Sequence, residues 1–249
     1  MSHRVWVVSD LQVPFHDRRS VVALAQAIED LRGPDDLVIT IGDEMDFQTI
    51  GRWAAGTEKE WERSIGKDRD LTRQVLKDLQ VDVMIRSNHT DRMFKTLASR
   101  APGLLGLPEL ELENFFGLEE LGITFARKAF DVAPGWYALH GDESGISQLA
   151  GRTAANLAAK TGKSVVCGHT HRLGLAPATQ GIYGSITRTI WGMEVGNLMD
   201  AKSPGAAYSK VHNWQSGFGL LYVDGKTVTP APVPIIDRSF IIEGERYSW

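Results

Sequence analysis

Two stretches decide the fold of this chain: residues 4–12, Arg-Val-Trp-Val-Val-Ser-Asp-Leu-Gln, and residues 36–46, Asp-Leu-Val-Ile-Thr-Ile-Gly-Asp-Glu-Met-Asp. Each contains a short apolar run that stops at an acidic residue, Asp10 in the first and Asp43 in the second. Runs of this length are typical of core strands. Each run is followed by a longer amphipathic stretch. The pattern therefore predicts strand-helix crossover units and a parallel sheet at the core of an α/β protein.

The same alternation continues along the chain. It predicts strands at 4–9, 37–41, 82–86, 123–127, 136–140 and 164–167. It predicts helices at 18–32, 58–79, 91–101 and 146–160, and a less regular helical segment at 104–122. After His171, short runs at 173–176, 180–183, 187–193, 217–223 and 227–235 predict a second, more antiparallel sheet. Because no linker or repeat divides the chain, we expect one elaborated domain over residues 1–249.

The composition excludes several classes of protein. Apolar residues make up 43% and charged residues 23% of the chain, which is ordinary for a globular protein. The net charge of −4 gives no overall attraction to nucleic acid or to an anionic membrane. Cys167 is the only cysteine, so no internal disulfide forms. The first apolar run is too short for a signal peptide or a membrane span, so we expect a cytoplasmic protein.

Polar residues of the types found in metal and catalytic sites follow the predicted strands. They are Asp10, Asp43, Asn88, His89, His140, His169 and His171. In open α/β sheets the carboxyl ends of strands form the ligand crevice, so we expect these side chains to converge. Carboxylate, amide and imidazole ligands together suit Mn, Zn or Fe better than an all-carboxylate Mg site does. A Gly-Asp turn or a His-x-His pair taken alone is often structural, and the ordered combination carries the hypothesis of a two-metal site.

Five blocks in this order resemble the calcineurin-like metallophosphoesterase family. The blocks are Asp10-Leu11-Gln12, Gly42-Asp43-Glu44-Met45-Asp46, Ser87-Asn88-His89, His140 and Gly168-His169-Thr170-His171. The resemblance covers about residues 4–171 and implies a four-layer α-β-β-α sandwich with mixed sheets. Among the family's members, the chain most resembles small stand-alone phosphoesterases encoded by bacteriophages, which places it in the host cytoplasm.

The resemblance also implies roles for individual residues. One metal would be held by Asp10, Gln12, Asp43 and His171, and the other by Asn88, His140 and His169, with Asp43 bridging the two. Mn is the favoured metal, with Zn, Fe, Ni and Mg as alternatives. His89 would face the substrate, either stabilising the phosphoryl oxygens or protonating the leaving group, and Asp46 would orient its imidazole.

Three positions depart from the family's pattern. Gln12 stands where the family usually has histidine, which predicts a weaker first metal site or an amide that turns to the substrate. Ser87 replaces the glycine that usually precedes Asn-His. Phe47 stands where the family's protein phosphatases carry an arginine. Without that phosphate clamp, a phosphoprotein substrate is disfavoured.

Residues outside the blocks are candidates for the rim of the site. His16 lies in the loop after Asp10 and is a candidate for a substrate contact or a replacement metal ligand. Arg52 and Arg92 are candidate phosphate ligands, and Trp53 is a candidate for stacking on a base. Each of them is also a reasonable surface or packing residue. The segment His212-Asn213-Trp214 is a further candidate for the edge of the cleft.

The function implied is a hydrolase in which a hydroxide held between two divalent cations attacks a phosphodiester, such as a cyclic nucleotide or a small nucleotide ester. The alternatives are a nucleotide phosphomonoesterase, a DNA or RNA nuclease, and a non-catalytic interaction module with the same fold. A processive nuclease is disfavoured because no broad basic face is evident. No membrane partner is expected, and the sequence leaves the oligomeric state open.

Overall fold

The structure is a computed structural model that describes residues 2–52, 54–207 and 212–249. Its strands, labelled in chain order, are β1 (Ser2–Val8), β2 (Leu37–Thr40), β3 (Val83–Ile85), β4 (Thr124–Ala126), β5 (Phe130–Ala133), β6 (Trp136–Ala138), β7 (Ser164–Cys167), β8 (Leu173–Ile182), β9 (Ser185–Val195), β10 (Gly217–Asp224), β11 (Thr227–Pro234), β12 (Ser239–Ile242) and β13 (Glu245–Ser248). The α-helices are α1 (Arg18–Leu31), α2 (Ile65–Asp78), α3 (Thr90–Arg100), α4 (Leu112–Phe116) and α5 (Arg152–Thr161).

These strands form two large mixed sheets. The first sheet has the spatial order β11-β10-β1-β2-β3-β4, and the second has the order β5-β6-β7-β9-β8. Strands β1 to β4 are parallel, whereas β10 runs antiparallel to β1. The last two strands, β12 and β13, form a separate hairpin.

Strand β1 shows why the two sheets pack face to face. Its alternate residues Val5 and Val7 lie in an apolar cluster that includes Val166 of the second sheet. Trp6, which points the other way, lies in a second cluster with Leu24 of α1. Because successive side chains on a strand point to opposite faces, an uninterrupted apolar run buries both faces of the sheet. The strand is thus fixed between the second sheet and the helices.

Helix α5 closes the opposite side of the molecule. Its residues Leu157 and Ala158 pack on Val165 and Ile190 of the second sheet. The order of layers is therefore helices, first sheet, second sheet, helix. This confirms the predicted α/β fold with a four-layer α-β-β-α sandwich and mixed sheets.

The assignment of the late strands to one antiparallel sheet was wrong. Strands β8 and β9 join the second sheet, whereas β10 and β11 extend the first sheet beside β1. The second sheet also begins earlier than predicted, at β5, and its pairs β6-β7 and β7-β9 are parallel. Apolar patterning identifies a strand but does not identify its partner, which depends on contacts far apart in the chain.

Two helices begin later than predicted. Helix α2 begins at Ile65 and not at residue 58, because the side chain of Ser64 caps it by accepting from the backbone N–H of Lys67. Trp61 therefore lies before the helix, and its side chain is exposed. Helix α5 begins at Arg152, directly after Gly151 in a left-handed conformation. None of the helices in these described ranges is both long enough and apolar enough to cross a membrane.

The segment predicted as helical at 104–122 contains one short helix, α4, preceded by the 3-10 turn Pro108–Leu110. A proline at the start of the turn fits the first helical position but cannot continue a helix that precedes it. The helical pattern at 104–122 is therefore broken into short turns.

Candidate metal centre

The loops after β1 and β2 lie side by side. The backbone N–H of Asp10 donates to the carbonyl of Gly42 at 3.0 Å, and that of Gln12 donates to the carbonyl of Asp43 at 2.8 Å. These bonds continue the pairing of the parallel strands beyond their ends. They bring the carboxylates of Asp10 and Asp43 to the same edge of the first sheet.

The second sheet supplies the imidazoles. Nδ1 of His140 lies 2.9 Å from the carbonyl oxygen of Ile41, and the backbone N–H of His169 donates to Oδ2 of Asp10 at 2.9 Å. Both contacts join loops of the second sheet to loops of the first. The predicted ligands therefore converge at one end of the sandwich, where the two sheets meet.

Two glycines permit this close approach. Gly42 has a φ of +107°, and a Cβ there would collide with the ring of His140 and with Cβ of Ser87. A Cβ on Gly168 would collide with Oγ of Ser9 and Oδ2 of Asp10. A larger residue at either position would push the loops of the two sheets apart. The glycines of the Gly-Asp and Gly-His blocks are therefore required by packing.

Asp43 lies at the centre of the cluster. Its Oδ1 is 3.4 Å from Nε2 of His140, and its Oδ2 accepts from the side-chain amide of Gln12 at 3.1 Å. Oδ1 of Asn88 is 2.8 Å from the same nitrogen of His140. Donor atoms of Asp43, His140 and His169 all lie within 4.8 Å of one another. Ligand atoms at about 2.0–2.3 Å from one ion have this mutual spacing, so the three residues fit a cation.

Asp10 and His171 supply a second pair of atoms that could coordinate a metal. Oδ2 of Asp10 accepts from Oγ of Ser9 at 2.6 Å and from the backbone N–H of His169. Oδ1 is buried without a hydrogen bond, although Nε2 of His171 lies 3.0 Å away. A buried carboxylate oxygen left without a hydrogen bond is costly. A cation coordinated by both atoms would satisfy it.

The electrostatics of the cluster favour positive charge. Burial raises the pKa of Asp43, but His140 and His89 outweigh burial and hold that pKa well below its ordinary value. Burial lowers the pKa of His140, but the carboxylate of Asp43 outweighs burial and raises it to about 10. A proton on the imidazole is one way to satisfy the carboxylate. A divalent cation is another, and its binding would release that proton.

Five of the seven predicted metal ligands have a left-handed backbone. They are Asp10, Gln12, Asp43, His169 and His171, with φ between 52° and 66°. A positive φ is uncommon for residues other than glycine and costs on the order of 1 kcal/mol or more at each position. Such residues cluster at functional sites because the surrounding structure holds them there. This backbone geometry marks the cluster as a site independently of its side chains.

His89 lies beside this cluster at the start of α3. Its Nε2 is 3.6 Å from Oδ2 of Asp43 and 2.6 Å from Nη2 of Arg92. Burial lowers the pKa of His89 to about 4. The predicted partner Asp46 has Oδ2 at 3.8 Å from Nδ1 of His89, which is too long for a hydrogen bond. Arg92 links the two residues instead, because its Nη1 donates to the backbone carbonyl of Asp46 at 2.6 Å.

The other candidates lie in different surroundings. His16 is buried, and its pKa is lowered to about 4 by burial first and then by the charge of Arg18. None of the contacts described for His16 joins it to the metal-ligand cluster. Arg52 is exposed on a turn, and Trp53 lies outside the described residues. The structure thus groups the seven predicted ligands with His89, Asp46 and Arg92, and the contacts that join them do not include His16.

The departures from the family's pattern have structural explanations. Oγ of Ser87 accepts from the backbone N–H groups of Asp43, at 3.0 Å, and Thr90, at 3.2 Å. The hydroxyl of Ser87 therefore connects the backbone of Asp43 to the first turn of α3. Phe47 is buried in the core, with its ring 5.8 Å from that of Phe115 and 6.0 Å from that of Phe116. It brings no positive charge to the site.

Sequence reasoning missed a buried glutamate behind the histidine loop. Glu194 accepts from the backbone N–H of Thr153 at 2.8 Å and from the hydroxyl of Thr170 at 2.9 Å. It is fully buried at the end of β9 and holds the loop that carries His169 and His171 against the start of α5. The available signal was an acidic residue inside an apolar run, Trp191 to Val195, which requires a partner when it is buried.

We predict that Glu194→Gln weakens metal binding by about ten-fold, because the amide offers one acceptor oxygen where the carboxylate offers two and the histidine loop is released. The free energy of unfolding should fall by about 1–3 kcal/mol. Metal affinity by chelator competition and urea unfolding would measure the two effects. The exposed Glu245→Gln is the matched control. An unchanged metal affinity in a destabilised Glu194→Gln would limit Glu194 to the fold.

Together, the fold and the cluster define a four-layer α/β protein with a buried set of carboxylate, amide and imidazole groups suited to divalent metals. The chain is 38% identical over 254 residues to the Gene 54 protein of Mycobacterium phage D29 and 37% identical to that of Mycobacterium phage L5. Each alignment covers 98% of both chains. The chain belongs to the family of these phage gene 54 proteins. As predicted, its relatives are phage proteins.

Solved structures with a similar fold are more distant. The vacuolar protein sorting 29 protein of Cryptosporidium parvum is 12% identical with a TM-score of 0.46, and the likeness covers 100% of both chains. The 5'-nucleotidase precursor of Thermus thermophilus is 15% identical with a TM-score of 0.39, covering 92% of this chain and 54% of the other. Both TM-scores are too low to assign a function. No protein-family model matches the chain.

Proposed function

We propose that this protein is a metal-dependent phosphoric ester hydrolase that prefers phosphodiesters, such as cyclic nucleotides or small nucleotide esters. The observation that carries the proposal is the buried cluster around Asp43. One oxygen of this carboxylate faces His140, and the other contacts Gln12. Asp10 and His171 supply a second pair of donors in the same cluster. This donor set is larger than one ion needs.

The residues fall into two sets that would hold two ions. Asp10, Gln12 and His171 would hold one, Asn88, His140 and His169 the other, and Asp43 would contact both. Mn fits this mixture of oxygen and nitrogen donors best, with Zn, Fe, Ni and Mg as alternatives. When bound, such ions neutralise charge on a phosphate and make a water molecule a better nucleophile.

The remaining residues of the site would act on the substrate directly. His89 would donate a hydrogen bond to a phosphoryl oxygen or a proton to the leaving group. Arg92 holds His89 through Nε2 and Asp46 through its carbonyl, so it would fix the position of the imidazole. As a substrate contact, Arg92 would use its remaining N–H groups to bind a phosphate oxygen.

A diester is favoured because the site lacks the arginine that the family's protein phosphatases carry after the second aspartate. Phe47 is buried where a phosphatase arginine would stand, so the second negative charge of a monoester lacks that partner. The net charge of −4 disfavours long nucleic acids, which favours a small substrate. The kinship with phage proteins favours action in the cytoplasm of an infected host.

The test is metal analysis of the purified protein, followed by assays on bis(p-nitrophenyl) phosphate and p-nitrophenyl phosphate with and without added Mn²⁺. We expect bound metal, hydrolysis that a chelator stops and Mn²⁺ restores, and faster hydrolysis of the diester. Faster hydrolysis of the monoester would favour a phosphomonoesterase. Absence of both bound metal and hydrolysis would favour a non-catalytic interaction module.

We predict that Gln12→His tightens the first metal site, because imidazole is a better donor to Mn or Zn than an amide oxygen. Gln12 is in reach of the cluster through Asp43, so the new ring would enter it. The variant should need less Mn²⁺ for half-maximal activity, by on the order of ten-fold, and its ratio of diester to monoester activity should change. Mn²⁺ titrations of both activities would measure this.

The exposed glutamine Gln26 gives the control, because Gln26→His adds an imidazole far from the cluster. Identical Mn²⁺ titrations for wild type and Gln12→His would place residue 12 outside the metal shell. In that case His16 would become the candidate for the missing ligand.

A further inference from the structure

Two aromatic side chains form a stack beside the metal centre. The ring of Trp214 lies 4.5 Å from that of His171, in an edge-to-face arrangement at 62°. The ring of His212 lies 4.5 Å from that of Trp214 and is nearly parallel to it, at 24°. The stack therefore leads from a candidate metal ligand to the protein surface, where His212 is exposed.

The fold holds this stack in place. Phe15, Met199 and Ala206 form a small apolar cluster against which Trp214 packs. The next residue, Gln215, donates its backbone N–H to the carbonyl of His171 at 2.9 Å and accepts from the backbone N–H of Leu173 at 3.2 Å through its side chain. The aromatic segment is thus tied to the same loop that carries the metal-binding histidines.

We propose that His212 and Trp214 form a stacking subsite for the base of a nucleoside phosphate whose phosphate lies at the metal centre. The subsite rests on the proposed hydrolase function and adds the part of the substrate that the metals do not contact. Trp214 covers one face of the His212 imidazole, and a base would stack on the exposed face. Aromatic side chains stack on any base. The subsite would therefore recognise a nucleoside without distinguishing which base it carries.

The spacing favours a nucleoside over a simple aryl ester. The ring of Trp214 lies 4.5 Å from that of His171 and 4.5 Å from that of His212, so one ring separates His212 from the candidate metal ligand. A sugar between phosphate and base would supply reach past Trp214 that a ring bonded directly to the phosphate lacks.

The test is calorimetric binding to the Mn²⁺-loaded protein of two matched ligands that cannot be hydrolysed. They are the methylene phosphonate analogues of adenosine monophosphate and of ribose 5-phosphate, which differ only in the base. We expect the adenosine analogue to bind wild type roughly ten-fold more tightly than the ribose analogue. His212→Ala should abolish this preference, and His212→Phe should retain it because the aromatic face remains. Tyr183→Ala, which removes a fully exposed ring on the β8-β9 hairpin, should not change it.

Several results would overturn the proposal. Equal affinities of the two analogues for wild type, or an unchanged preference in His212→Ala, would remove the subsite while leaving phosphate binding at the metals intact. Benzylphosphonate that binds as tightly as the adenosine analogue, with the same dependence on His212, would replace the nucleoside by a simple aryl group. Binding of neither analogue to the metal-loaded protein would overturn the subsite, whereas the proposed hydrolase would still be decided by the assay on bis(p-nitrophenyl) phosphate.

Discussion

Asp43→Ala is expected to abolish turnover and to remove most of the bound metal. Its two oxygens face different partners, His140 on one side and Gln12 on the other, so no neighbouring residue replaces it. A carboxylate shared by two ions anchors both of them, and its loss should reduce hydrolysis by on the order of 10³-fold or more. Metal analysis and diester hydrolysis of the purified variant would measure the two losses.

The fold should survive this substitution. The backbone carbonyl of residue 43 would still accept a hydrogen bond from the N–H of Gln12, and its N–H would still donate to the hydroxyl of Ser87. Neither hydrogen bond involves the carboxylate. Circular dichroism and urea unfolding would check this. Near-normal metal content and rate in a folded Asp43→Ala would remove Asp43 from the bridging role.

Asp36 provides a matched control at the opposite end of β2. It is also buried, but its carboxylate accepts from the backbone N–H of Arg4 at 2.7 Å and from Nε of the same residue at 2.8 Å. Asp36→Ala should therefore lower the free energy of unfolding by about 1–3 kcal/mol and leave metal content unchanged. Comparison of Asp43→Ala with Asp36→Ala would then distinguish a loss of bound metal from a loss of folding stability.

The position of the candidate site was predictable from the sequence because its residues follow the strands that the chain must bury. An apolar run such as Val5 to Val8 is too short for a helix and is typical of a buried strand, so the polar residues after it lie at the strand's end. The same reasoning places Asp43 and His140. Short-range patterns of this kind therefore predict the central strands of the sheet and the end of the sheet at which the candidate metal ligands lie.

Other features depend on contacts that no short pattern encodes. The pairing of β10 with the free edge of β1 joins segments more than half a chain apart. Glu194 accepts from Thr170, which follows the neighbouring strand β7, and the burial of its carboxylate is what makes this hydrogen bond important. Arg92 was predicted as a rim residue, but it lies against His89 because the first turn of α3 places the two side chains three residues apart on one face.

His89→Ala is expected to keep both metals and to lose on the order of 10²–10⁴-fold in rate, the usual contribution of a positioned acid-base group. The imidazole is 3.6 Å from Oδ2 of Asp43, and it is the backbone N–H of residue 89 that approaches Oδ1, at 3.3 Å. Removing the side chain therefore leaves the carboxylate's backbone contact in place. Metal content and the rate of diester hydrolysis would be measured together.

Two substrates distinguish the two roles considered for His89. A nitrophenyl leaving group departs without a proton, whereas an alkyl leaving group needs one. If His89 is the general acid, His89→Ala should lose much less rate on the nitrophenyl diester than on the alkyl diester. If both diesters lose rate equally, His89 stabilises the phosphoryl oxygens instead.

Arg92→Lys is the companion variant, because it keeps a positive charge but removes the planar fork that contacts His89 and Asp46 together. If Arg92 acts by holding the imidazole, this variant should lose part of the same rate and show the same dependence on the leaving group as His89→Ala. The double variant should then lose little more than His89→Ala alone, because the two residues act through one imidazole. Fully additive losses would show that Arg92 contacts the substrate on its own, and a near-normal rate in His89→Ala would remove the imidazole from the chemistry.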